Sequence, residues 1–232
     1  MKFRTHRHVV HRRVMTLSRA ALVALCIAAI LPFVLVSANA RQAAAPQTPV
    51  GDFTSRTDVG TGILPGSAQY DAAQHKYTVA GGGDDIWIAP DAFDFVWRKL
   101  DGDATITADV AFVGDDGEMF HKAGLMIREG LGPNDRYVDA MVHGSGLTSL
   151  QWRSDPGGQS DEIQAKALNP KTIRLVRKGD TFTMYTAGAD GQFESAATTQ
   201  LALHAPLYVG LAVCSHDAKQ LQSATFTNFH IE

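Results

Sequence analysis

The chain has 232 residues and a formal net charge of −3, but the charge is unevenly divided: six of its 21 Lys and Arg, and none of its 24 Asp and Glu, fall in the first 40 positions. The remainder carries 15 basic against 24 acidic side chains, near −9, which argues against a nucleic-acid partner and against attraction to an anionic membrane. Those 192 residues suffice for one well-buried domain, and all 21 Gly lie among them between short runs rich in Thr, Val, Phe and Tyr, an all-β composition.

From Ala20 to Val36 an uncharged apolar stretch follows the basic residues and precedes Ser37-Ala38-Asn39-Ala40. Small residues at 38 and 40 suit a signal peptidase, so residues 1–40 are expected to be a secretory signal cleaved after Ala40. Interrupted by Pro32, the stretch falls short of the roughly 20 apolar residues that a spanning helix needs, and an uncleaved anchor is the lesser reading. Met15 opens a more compact signal, so either Met1 or Met15 is the start; Arg12-Arg13 fits a twin-arginine motif poorly, and Cys26 follows Leu25 rather than a small residue, against lipid attachment. The mature chain is expected in the periplasm or outside the cell, with no membrane contact after cleavage. Only Cys214 survives cleavage, which rules out an intramolecular disulfide and reads as a small buried thiol.

Residues 41–58 are expected to be a flexible linker, since 41–50 (RQAAAPQTPV) has almost no bulky apolar residue. From 59 to 232 the apolar period is two: Ile106, Ala108, Val110 and Phe112 share one face of a strand. Similar runs at 75–80, 91–100, 121–128, 136–143, 147–153, 171–178, 181–186, 207–216 and 222–231 predict further strands. Gly-rich and Asp-Gly links separate them, including Gly81-Gly82-Gly83, Asp101-Gly102, Asp115-Asp116-Gly117 and Lys178-Gly179-Asp180, the clearest hairpin turn. Many short strands without crossover helices predict an all-β, two-sheet antiparallel β-sandwich or jelly roll, and no internal repeat points to a propeller.

Tyr77-Thr78-Val79-Ala80-Gly81-Gly82-Gly83-Asp84-Asp85-Ile86-Trp87, Asp91-Ala92-Phe93-Asp94-Phe95-Val96-Trp97, Lys122-Ala123-Gly124-Leu125-Met126-Ile127-Arg128, His143-Gly144-Ser145-Gly146-Leu147 and the segment Tyr208 to Asp217 carry a resemblance. Over about 59–232 the chain resembles a family of bacterial secreted domains of unassigned function with the concanavalin A-like lectin/glucanase sandwich fold. It is also similar to the C-terminal domain of some TolB-like periplasmic β-propeller proteins. The resemblance implies a jelly roll with one concave sheet, often interpreted as carbohydrate-binding, and implies no established activity.

Alternation within 121–128, 136–143 and 147–153 sends Ala123, Leu125, Ile127, Val138, Ala140, Val142 and Leu150 to one face. The other face gathers Lys122, Met126, Arg128, Tyr137, Asp139, Met141, His143, Gln151 and Arg153. Such a mixed face is the inventory of a groove for hydroxyl-rich ligands. It is equally that of a solvated sheet face. The two Met argue against a fully solvated face, and a face covered by another part of the protein or by a partner is the third reading. The groove reading makes Lys122, Arg128, Asp139, His143, Gln151, Arg153 and His216 hydrogen-bonding residues, with Tyr137 or Trp97 stacking on a sugar ring. No residue is expected to be catalytic: no strand reads Glu-x-Asp-x-Glu, no Gly-x-Ser-x-Gly elbow is present, and the spacing of His143, His216 and Asp217 matches no zinc pattern. No cofactor is expected, although calcium could sit at the acidic turns Asp84-Asp85, Asp101-Gly102-Asp103 or Asp115-Asp116, none of which has a calcium-loop pattern. The function expected is an exported, non-catalytic module binding carbohydrate or a similar polyhydroxylated ligand; a glycoside-acting enzyme with atypical catalytic residues and an envelope protein-interaction module are the alternatives.

Overall fold

The computed structural model describes residues 48–114 and 117–232; the expected signal, its cleavage site, the alternative start, Cys26, the first part of the linker and the Asp115-Asp116 turn lie outside them. The described residues form β1 (Ser55–Val59), β2 (Ser67–Asp71), β3 (Lys76–Gly83), β4 (Phe93–Leu100), β5 (Ala104–Val113), β6 (Lys122–Arg128), β7 (Tyr137–His143), β8 (Thr148–Arg153), β9 (Asp161–Gln164), β10 (Thr172–Lys178), β11 (Thr181–Ala187), β12 (Phe193–Gln200), β13 (Leu207–Cys214) and β14 (Asp217–Ile231). They make two seven-stranded sheets, ordered β1-β4-β13-β6-β7-β8-β9 and β12-β11-β10-β5-β14-β3-β2. Every pairing is antiparallel, and the described residues form the all-β, two-sheet antiparallel β-sandwich that the sequence predicts.

The apolar set assigned by alternation faces inward. Leu125, Ile127, Val138, Ala140, Val142 and Leu150 of the first sheet meet Val79, Ile106, Ile173, Leu175, Phe182 and Phe226 of the second in one continuous core. In the hairpin of β10 and β11, Lys178 pairs with Thr181, and Gly179 takes the left-handed conformation that the tight turn demands.

The linker boundary needs correction. Val50 and Phe53 pair through a β-bridge, Phe53 is buried, and β1 pairs residue for residue with β4. The fold therefore includes residues 50–58. This short stretch is polar apart from Val50 and Phe53, so composition concealed it.

The two sheets differ in a way that positions the site. Along β10 and β11 burial alternates, as in a sheet wetted on its outer side. β6 and β7 are buried at every position, and β8 and β13 at nearly every one, so the outer face of the first sheet is covered as well.

Candidate functional site

Register lays the outer face of the first sheet out in rows. Tyr208, Arg128, Tyr137 and Arg153 are cross-strand neighbours in one row, Met126, Asp139, Gln151 and Glu162 in the next, and Lys122 pairs with His143 beyond them. The segment 84–92, between β3 and β4, crosses this face. It is tied down by Asp91 N–H to Pro133 O at 2.8 Å, Ser160 N–H to Trp87 O at 3.0 Å, and a bridge between Ile88 and Gln159.

Under that segment half of the face is sealed. Arg153 donates to both oxygens of Asp91, at 2.7 and 2.6 Å, and to Gly158 O at 2.7 Å, while Arg128 donates to Gly132 O at 2.6 Å with Asp91 3.6 Å away. Burial raises the Asp91 pKa and the two guanidiniums pull it back; two donors on its two oxygens hold the carboxylate form. Each guanidinium also lies over a ring, Arg128 over Phe93 and Arg153 over Tyr137. The Tyr137 hydroxyl donates to Ile86 O at 3.2 Å and lies 2.6 Å from Ser160 Oγ, and burial drives its pKa well above the phenol range. Asp139 is completely buried, with no side-chain hydrogen-bond partner among the described residues, and burial raises its pKa well above the carboxylate range.

These positions correct the sequence expectation. Arg128, Tyr137, Asp139 and Arg153 are on the predicted face but beneath a covering loop, where no ligand reaches them. Trp97 is buried at the other edge of the sheet, its indole N–H donating to Thr57 Oγ1 at 3.0 Å and its ring against Tyr208, beside a separate hollow with Lys99 and Asp52. The face is thus covered in part by the protein itself, the third of the readings that alternation allowed.

The remaining half is open. Lys122, His143, Gln151 and His216 converge with Asp85, Trp87, Phe120, Leu147, Glu162 and Gln164 around a cleft of about 340 Å³. Lys122 Nζ donates to Asp85 Oδ1 at 2.6 Å and Ile86 O at 3.1 Å, which fixes the ammonium and the near wall together. His143 Nε2 lies 3.4 Å from Ser149 Oγ; burial, with Lys122 nearby, lowers its pKa to about 3, so the imidazole is neutral. His216, held in the left-handed region at φ 57°, places its ring 5.5 Å from that of Phe120 and its Nε2 3.6 Å from Asp85. Phe120 is 46% exposed and Trp87 is partly so. The cleft thus offers ring surface, two amides, an ammonium and two carboxylates.

Asp85, Trp87, Phe120, Leu147, Glu162 and Gln164 were not among the predicted ligand residues. Trp87 and Asp85 lie in the segment that carries the resemblance, but only the crossing of 84–92 over the sheet aims them at the cleft. Of the acidic turns, Asp85 is engaged by Lys122, and Asp103 accepts Gly179 N–H at 2.8 Å. Among the described residues no three His, Cys, Asp or Glu cluster as metal ligands would.

No family model matches the chain, and no curated protein matches it in sequence. Solved structures do match. A functionally unknown protein from Saccharomyces cerevisiae is 13% identical over 77% of this chain and 95% of its own, with a TM-score of 0.57. A carbohydrate binding module from Bacillus subtilis is 17% identical over 78% of this chain and 97% of its own, with a TM-score of 0.53. A xylan beta-1,4-xylosidase from Bacillus halodurans C-125 is 15% identical over 71% of this chain and 34% of its own, with a TM-score of 0.52. At these identities the likeness is one of fold.

Proposed function

We propose that the chain is an exported, non-catalytic β-sandwich module that binds carbohydrate or a similar polyhydroxylated ligand in the cleft between Trp87, Phe120 and the row Gln151–Glu162. The observation that carries this reading is the meeting, in one open hollow, of two partly exposed rings with side-chain amides and fixed charges. Rings stack on the apolar face of a sugar while short polar side chains read its hydroxyls. That a carbohydrate binding module shares the fold supports the reading.

Export is supported by the basic, apolar and small-residue succession of residues 1–40. It is also supported by Cys214, the one cysteine after that segment, which is buried with its thiol pKa pushed up to about 12 and so resists oxidation.

Calorimetric titration against soluble oligosaccharides of gluco, galacto, manno and xylo configuration tests the function. Trp87→Ala and Gln164→Ala should each weaken binding by about tenfold, roughly 1.4 kcal/mol, with the melting temperature unchanged because both side chains border solvent. Absence of binding at millimolar oligosaccharide contradicts the proposal. Release of new reducing ends in the same samples would favour the glycoside-acting enzyme instead.

A further inference from the structure

Within the cleft the distribution of donors and acceptors is lopsided. Lys122, its fixed cation, is already engaged by Asp85 and Ile86 O. Glu162 forms no salt bridge among the described residues, and its Oε1 is shielded from water without a hydrogen-bond partner. Its cross-strand neighbour Gln151 is 1% exposed, lines the same cleft, and also has an unpartnered Oε1. Nδ1 of His143, at the end of the cleft, is buried and unpartnered too, and in a neutral imidazole it can serve as an acceptor. A ligand that fits must bring donors, and next to Glu162 it must bring positive charge, because an acceptor carboxylate shut off from water is satisfied best by a charge-assisted bond.

We infer that the cleft selects saccharides carrying a protonated primary amine, hexosamine residues without their acetyl group, with the ammonium seated between Glu162 and Gln151. This rests on the carbohydrate-binding reading above. An acetylated amine loses its charge and adds bulk at that position; a hydroxyl there supplies a donor without charge. The surplus of 24 acidic over 15 basic side chains after residue 40 draws a cationic saccharide toward the domain before contact.

The test uses chelator-treated protein and oligomers of one linkage in three forms, glucosamine, N-acetylglucosamine and glucose, titrated calorimetrically at pH values below and above the pKa of the sugar amine. The glucosamine oligomer should bind about tenfold more tightly than the others below that pKa and lose its advantage above it. In Glu162→Gln the three should bind within about twofold of one another with the melting temperature kept, since Glu162 lies on an edge strand. The pH comparison needs wild-type protein alone, so the inference stays testable if the variant folds poorly. Saccharide binding without preference for the amine, or a preference that survives Glu162→Gln, overturns this inference and leaves carbohydrate binding standing. No binding by any saccharide overturns both. Calcium binding that Glu162→Gln removes and amino sugar does not displace assigns the carboxylate to a metal and overturns the selectivity.

Discussion

Asp91→Asn should lower the unfolding free energy by about 3–5 kcal/mol, because it removes the one carboxylate that two fully buried guanidiniums share. Arg153 would keep its bonds to the carbonyls of Gly158, Asp135 and Trp87, but its charge and that of Arg128 would stay buried without the carboxylate that lies within 4 Å of both. The damage should extend beyond the pair, since Asp91 N–H also docks the crossing segment on Pro133 O. Urea midpoints at constant m-value measure the loss. Arg128→Lys and Arg153→Lys should likewise destabilise, because a lysine cannot reproduce the planar fork on Asp91 and the surrounding carbonyls. A loss under about 1 kcal/mol for Asp91→Asn would mean that water reaches the cluster.

Leu150→Ala should cost about 2–5 kcal/mol. Leu150 is fully buried between the sheets, and the cavity it leaves would be lined by side chains of both, which are held by their own ladders and cannot collapse into it. An ordinary half-wetted strand would show a second effect: residues alternating with Leu150 could be truncated cheaply. Here Arg153→Ala should cost at least as much as Leu150→Ala, because the opposite face of β8 is covered too. A Leu150→Ala loss below about 1 kcal/mol would contradict the inward assignment.

Much of the fold was legible because the central strands announce themselves. Runs such as Thr105 to Phe112 and Lys122 to Arg128 alternate cleanly, and the turns between them carry Gly and Asp. The strands missing from the sequence reading are β1, β2, β9 and β12, and these are the edges of the two sheets. Edge strands are held polar to discourage pairing with other chains, so SRTDV, SAQYD and DEIQ lack the apolar period that marks a strand. Which side chains share the outer face was legible for the same reason that the core was. What covers that face was not: alternation along β6, β7 and β8 contains nothing about the segment 84–92, and Asp91 lies 62 positions from Arg153. Met126 and Met141 gave the one hint, since two large apolar side chains on a nominally wet face need a cover.

The outer face of the first sheet is sealed at one end and open at the other, and the proposed ligand site lies at the open end. The side-chain indole resonances of the three Trp report on this directly, because Trp87 borders the cleft, Trp97 is buried at the far edge, and Trp152 packs against the inter-sheet core. On titration with a binding oligosaccharide, the Trp87 indole N–H signal should move and saturate with the calorimetric isotherm while those of Trp97 and Trp152 stay in place. Movement of the Trp97 signal with Trp87 unmoved would place binding at the hollow beside Tyr208 and contradict a site at the open end.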